Sequence, residues 1–413
     1  MKQDPVQIDK LIPGGQALGT LPNGKKAFFW NALPGETVTE YQITKEKSHY
    51  LEAIATKIKN PSKHRIAPVD ECYLSTSPWQ IMDYDYELEW KSQLAEAPIF
   101  DDGNALHYRN KMEYSLYWDN EKCQISLAFH ARGSHRKIPI TQSSIERPEI
   151  FAAATKIVAD LNANHEEARK YQSLLLRCDQ QGNVSGGLFE NGQPHPVFPN
   201  LTDTILWHKY SYSPNGFFQI NLPVYEMALK EIQKHIKTDK VLDLYSGVGT
   251  IGLSVAQGKN LTLVESNPDA FRELEKNCLN VTNNCSSPAF GGYDREAGSE
   301  PHNDGSEEPV GEGLLLVVSD VPRAVFAKSE DALEYISPDA TVIVDPPRAG
   351  CDKKLLDKLL EVLPPVIIYL SCNPATQTRD IEILSQQYHV TDAKAFNFFP
   401  RTPHIEKLVV LER

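Results

Sequence analysis

Nowhere among the 413 residues does an uncharged apolar run approach the ~20 needed for a membrane-crossing helix. The opening residues, MKQDPVQIDK, are polar and lack the charged prefix and apolar core of an export signal. A cytoplasmic protein without a membrane partner is the expectation. Cysteine is sparse and scattered: the seven, at 72, 123, 178, 278, 285, 351 and 372, include no CxxC pair. That pattern suits neither a disulfide framework nor a four-thiolate site, so reduced thiols and no metal are expected. Positive charge is also short, with 42 Lys and Arg against 55 Asp and Glu for a net of −13. An acidic chain argues at first against a phosphate-rich partner. Residues 286 to 340, however, hold 12 acidic and 3 basic side chains, a local charge of −9 that accounts for most of the excess. Elsewhere Lys25-Lys26, Lys57 to Arg65 and His130 to Lys137 form basic clusters, which leaves RNA a permitted partner.

At this length two or three domains are expected. Residues 1–58 read as short strands punctuated by Gly14-Gly15, Pro22-Asn23-Gly24 and Pro34-Gly35, and five strands at that spacing predict a small closed barrel of the OB kind. Residues 59–208 mix strand pairs (HYRNKMEYSLYW with QISLAFHARGSHRKI), a helix over IFAAATKIVADLNANHEEARKY and a hairpin around Gly182-Asn183, an α+β middle domain. Residues 209–413 alternate strand, turn and helix, which predicts an α/β domain with a parallel sheet covered on both faces. Within it, residues 286–316 are rich in Gly, Ser, Pro and acids and read as a disordered acidic insertion.

The chemistry gathers at one edge of that sheet. Gly247-Val-Gly249-Thr-Ile-Gly252 follows a strand, opens a helix and matches GxGxxG, and Glu265 ends the next strand, where an acid would hold ribose hydroxyls. This pattern fits a dinucleotide as well as S-adenosylmethionine. Asp345 ends TVIVD just before Pro346-Pro347, and Cys372 ends VIIYLSC just before Asn373-Pro374; proline forbids both strands to continue. Ligands of open parallel sheets bind beyond the carboxyl ends of the strands, so Tyr245, Glu265, Asp345 and Cys372 converge. The start of the next helix is expected to lower the Cys372 pKa. If the final strand KLVVLE runs antiparallel, Glu406 faces Cys372. A thiol and a carboxylate beside a methyl donor suit one reaction. Carbon 5 of uracil becomes nucleophilic only once a thiolate adds to carbon 6, and a base must then remove the carbon-5 proton.

The motifs DLYSGVGTIGL (243–253), FFQIN (217–221), DPPRAGC (345–351), SCNPATQTRD (371–380) and FPRTPHIE (399–406) together closely resemble the RNA (uracil-5-)-methyltransferase family. The first 58 residues resemble the TRAM barrel of its ribosomal-RNA branch. The resemblance implies a class I Rossmann-like methyltransferase domain using S-adenosylmethionine, with Cys372 as nucleophile and Glu406 as proton acceptor. It implies that Gln219, Tyr245, Thr250, Glu265, Asp320 and Asp345 line the cofactor site and that RNA is the substrate, ribosomal RNA with transfer RNA as the alternative; a monomer is expected. Cys351 is a rival thiol without a role in the family pattern. Many TRAM-bearing members carry an iron–sulfur site. Here Cys72 is followed by Ser75, Thr76 and Ser77, and one thiolate cannot hold a cluster, so none is expected. The competing readings are an NAD-dependent dehydrogenase, which leaves SCNP and FPRTPHIE without a task, and an exocyclic-amine methyltransferase, which has an aromatic where this chain has Arg348. A third is an RNA-binding module that has kept only the fold.

Overall fold

The computed structural model describes residues 3–164, 169–190, 192–195, 198–285 and 322–413. The acidic stretch 286–316 and Asp320 lie outside the described residues.

The strands Val6–Leu11, Ala17–Thr20, Lys26–Trp30, Thr37–Glu46 and Tyr50–Lys59 close into a five-stranded barrel. Their alternation drives closure: Val6, Ile8, Ala27, Phe29, Leu51 and Ala53 are buried inside while their neighbours face outward. The middle domain is a six-stranded antiparallel sheet with the helix Pro148–Ala163 laid on one face through Ile150, Ala154 and Leu161. That helix stops at Asn164, short of the expected Tyr171. Asn and Ser compete for backbone hydrogen bonds, which weakens a helical pattern read from hydrophobic spacing alone.

The third sheet has eight strands in the order Arg323–Phe326, Asn260–Glu265, Lys240–Leu244, Ala340–Val344, Val366–Ser371, Glu406–Glu412, His389–Phe396, Ile99–Phe100. From Arg323–Phe326 to Val366–Ser371 the pairing is parallel. Glu406–Glu412 then joins antiparallel to Val366–Ser371 and His389–Phe396. All of Ala340–Val344 and Val366–Ser371 is buried, as expected for strands with helices on both faces. Burying Ile367 and Ile368 contributes about 1.5–3 kcal/mol each, so the loops at the strand ends hang from a rigid frame.

The hairpin Leu201–Ile205 with His208–Tyr212 spans the expected boundary at 209 and packs into the core of the third sheet. The two-residue strand Ile99–Phe100 lies in the segment assigned to the middle domain yet pairs parallel with Ala395 and Phe396 at the far edge of this sheet. Two residues carry no periodicity to read.

Candidate active site

The strand Lys240–Leu244 ends at Tyr245, which turns the chain with φ +63, an uncommon conformation for a side chain of its size. The glycine-rich turn follows and delivers the helix Thr250–Val255. On the neighbouring strand, Glu265 accepts hydrogen bonds from the backbone amides of Gly247 (2.8 Å), Ser266 (2.8 Å) and Asn267 (2.5 Å). One carboxylate thus stitches the glycine loop to the next strand end. Thr250 is held by the Tyr225 hydroxyl at 2.8 Å.

Asp345 follows Ala340–Val344, and its loop is fastened to the helix Pro374–Leu384. Asp380 accepts from the Cys351 amide (2.8 Å) and the Tyr369 hydroxyl (2.7 Å). Gly350 is required at this junction: its φ is +83, and a methyl group there would sit 2.6 Å from the side chains of both Arg379 and Asp380.

Cys372 follows Val366–Ser371, where the Ser371 hydroxyl accepts from the Asn373 amide at 3.1 Å and Pro374 begins the helix. The proline therefore ends the strand and starts the helix, leaving the thiol on the crevice side. Register decides what it faces. Ser371 pairs with Lys407 across the antiparallel strands, which puts Cys372 opposite Glu406. The buried Gln377 locks that alignment by donating to the carbonyls of Tyr369 (3.0 Å) and Lys407 (2.9 Å).

Gln219, Tyr245, Thr250, Glu265, Asp345, Cys372 and Glu406 all line one cavity of about 1940 Å³. Asp320 lies outside the described residues. Cys351 lines the same cavity but is buried, its thiol pushed up to about 12 by that burial. The charge of Glu406 bears on Cys372, whereas Cys351 is coupled to Tyr369 and Asp380, so the carboxylate belongs with Cys372.

The electrostatics correct one expectation. The Cys372 thiol is raised, not lowered: burial dominates, Glu406 and Asp345 add to it, and Arg348 opposes. The helix start does not outweigh desolvation. Burial pushes Asp345 up to about 7. Glu406, almost fully buried, is raised well above the usual carboxylate range by desolvation and then by Asp345, with Arg348 again opposing. Burial thus raises all three acidic groups at one end of the cavity, Asp345 adds to the effect on Cys372 and Glu406, and an entering cation would oppose it.

Several cavity residues had no clear sequence signal. Arg109 comes from the middle domain, and Phe217 stands 74% exposed at the rim although its neighbour Phe218 is buried. Phe399 and His404 pack edge-on, 5.7 Å between ring centres, and burial pushes the His404 ring down to about 4, so it is neutral. Their motif pointed to the loop but not to these roles. The one candidate metal grouping among the described residues is Glu231, His235 and Asp392, away from the cavity. Lys394 bridges its carboxylates at 2.6 and 2.7 Å, already supplying a cation. Cys72 is buried, its thiol raised to about 11 by desolvation. Beside it, Gln80 donates to Asp70 (2.8 Å) and Ser77 (2.7 Å), while the Ser144 hydroxyl bonds Asp70 (2.7 Å). No helix among the described residues is long and apolar enough to cross a membrane.

Residues 332–413, which include Asp345, Cys372 and Glu406, match the model of the tRNA (uracil-5-)-methyltransferase family. The chain is 27% identical to an uncharacterised RNA methyltransferase of Enterococcus faecalis, covering 100% of this chain and 98% of that protein. It is 25% identical to one of Synechocystis, over 96% and 93%. Its fold matches the Pyrococcus abyssi tRNA (uracil-54, C5)-methyltransferase in complex with S-adenosyl-L-homocysteine, with a TM-score of 0.71, 21% identity and 100% coverage of both chains. The likenesses to RNA methyltransferases run from end to end of the chain, and the match to the tRNA (uracil-5-)-methyltransferase model falls on the strand ends that carry the thiol and the carboxyls.

Proposed function

We propose that the protein methylates carbon 5 of a uridine in structured RNA, with Cys372 as nucleophile, Glu406 as proton acceptor and S-adenosylmethionine as methyl donor. The observation that carries this reading is the register Ser371–Lys407, which sets a thiol and a buried carboxyl side by side in the cavity that also holds the glycine loop and Glu265.

The residues fit the cofactor. Glu265 and Thr250 at the glycine turn would take the adenosyl end, and the buried Asp345 favours a positive charge. When bound, S-adenosylmethionine supplies the methyl group that carbon 5 takes up. The rest is done by the chain. Cys372 Sγ bonds to carbon 6, and the carbon 5–carbon 6 electron pair moves toward carbon 5 and the carbonyl at carbon 4. After methylation a Glu406 oxygen takes the carbon-5 proton, the double bond re-forms and the C–S bond breaks, returning the thiolate. A raised carboxyl suits this step, because a stronger base holds the proton it removes. A target within a folded RNA must also be turned out of its stack.

A dehydrogenase reading would bring a pyrophosphate into a cavity whose reactive end is already crowded with acids, and it leaves the Cys372–Glu406 pair without a task. The case for ribosomal over transfer RNA rested on the N-terminal barrel. The Pyrococcus abyssi protein, named for a tRNA uridine, has the same fold over the whole chain, so the barrel does not choose between them. Incubation with labelled S-adenosylmethionine and separate pools of unmodified ribosomal and transfer RNA, with mapping of the labelled nucleoside, tests the substrate. Label in a base other than uracil would overturn the proposal.

Two further outcomes are expected. Glu265→Ala removes the acceptor of three backbone amides and should weaken cofactor binding about 10- to 100-fold, or roughly 1.4–3 kcal/mol. Calorimetric titration with S-adenosylhomocysteine measures it, and unchanged affinity would remove Glu265 from the site. Because the Cys372 thiol is raised in the free protein, less of it is thiolate at neutral pH. Its alkylation by iodoacetamide, followed on the Cys372 peptide by mass spectrometry, should rise with pH along a curve displaced to the alkaline side of free cysteine. A curve on the acid side would mean that Arg348 outweighs burial.

A further inference from the structure

The loop Asn397–His404 brings Phe399 and His404 to the cavity and leads into Glu406, yet the contacts that hold it come largely from the N-terminal third of the chain. Lys91, fully buried on the helix Tyr84–Ala95, donates to Asn397 Oδ1 (2.6 Å) and to the Phe399 carbonyl (3.0 Å). It is paired at 2.9 Å with Glu87, also fully buried, and Glu87 accepts the Arg401 amide at 2.9 Å. The next contact is Trp79, whose amide donates to the Arg401 carbonyl (3.0 Å) and whose indole N–H donates to the carbonyl of Gly15 in the barrel (3.0 Å). Gly15 itself lies flush on the loop: its φ is +92, and a methyl group there would overlap Pro403 and meet Trp79 Nε1 at 3.2 Å.

A buried ion pair is poor evidence of stability, since desolvating two charges offsets their attraction. Here Lys91 and Glu87 Oε1 both turn to one loop, and Glu87 Oε2, without a hydrogen bond of its own, lies 3.6 Å from the Arg401 guanidinium of the same loop. Three of the barrel's lysines are matched on its own surface, Lys25 with Glu46 (2.7 Å), Lys45 with Glu52 (3.0 Å) and Lys57 with Glu40 (2.9 Å). The barrel's contact with the loop through Gly15 and Trp79 is one of packing and backbone hydrogen bonding.

We propose that the barrel and the helix behind it complete the active site by clamping the general-base loop, with Lys91, Glu87 and Gly15 as positioning residues for Glu406. This rests on the covalent reading above. Loosening the clamp should leave cofactor and RNA binding intact but misplace the base, so that the carbon-5 proton is removed slowly and enzyme waits as the RNA adduct.

The test compares full-length wild type, Lys91→Met and Gly15→Ala, with melting and S-adenosylhomocysteine affinity as controls for folding. The expected result is a kcat lowered about 10- to 100-fold, a KM for RNA that falls with it, and a larger fraction of enzyme covalently bound to RNA at steady state. A variant that was merely less folded would lose kcat without gaining adduct. The proposal is overturned if folded variants turn over as the wild type does, or slow without accumulating adduct. Should Lys91→Met fail to fold, Gly15→Ala, with both buried charges intact, decides alone. Failure of the wild type to form any adduct on 5-fluorouridine RNA would overturn the covalent reading instead, which separates the two failures.

Discussion

Cys372→Ser is expected to bind S-adenosylhomocysteine with wild-type affinity and to lose methyl transfer by on the order of 10⁴-fold or more. The serine hydroxyl is close in size, so the strand end, the Ser371–Asn373 hydrogen bond and the helix start at Pro374 should survive. What disappears is the atom able to add to carbon 6, because an alcohol in a site that already resists ionisation will not become an alkoxide at neutral pH. RNA carrying 5-fluorouridine gives a second readout. Fluorine cannot leave as a proton does, so the wild type should be trapped as an adduct that survives denaturation, and Cys372→Ser should not. An adduct in the substituted protein would move the nucleophile to Cys351, which lines the same cavity.

Glu406→Gln is expected to complete the first half of the reaction and stall. Methyl transfer in a single turnover should proceed, whereas multiple turnover falls about 10²- to 10⁴-fold and methylated RNA stays linked to the protein. The substitution is nearly isosteric and removes an ionisable group from a fully desolvated position, so stability should hold or rise. The sign follows from the pKa direction. A carboxyl raised in the folded state stabilises the protein most below its unfolded value, and that contribution is lost as pH rises through the folded value. The wild type should thus lose stability relative to Glu406→Gln as pH rises from the ordinary carboxylate range through the raised folded value, measured by paired melting curves. Normal product release by Glu406→Gln would dismiss this residue as the base.

The catalytic half was legible because its reactive residues sit where strands end, and strand ends there are written in proline: Pro346 after Asp345, Pro374 after Cys372. The antiparallel last strand placed Glu406 by register, a consequence of sheet geometry rather than of any local motif. Where burial competes with a local signal, sequence misled: Cys372 stands beside a helix start, but its pKa follows the low-polarity surroundings that distant strands build around it. Lys91 shows the other limit. Its partner Asn397 is 306 positions away, and on sequence it is one more lysine on a weakly amphipathic helix, a residue type almost never fully buried unless paired. Arg109 reaches the cavity in the same way, through docking of separately encoded layers.

Glu406–Glu412 follows every other described strand in sequence order, yet it lies inside the sheet, with Val366–Ser371 on one side and His389–Phe396 on the other. Until it docks, Val366–Ser371, buried along its whole length in the finished sheet, presents an open edge, the kind of template on which chains aggregate. Because Glu406 opens the docking strand and lines the cavity, closing the sheet and completing the cavity wall are one and the same folding event.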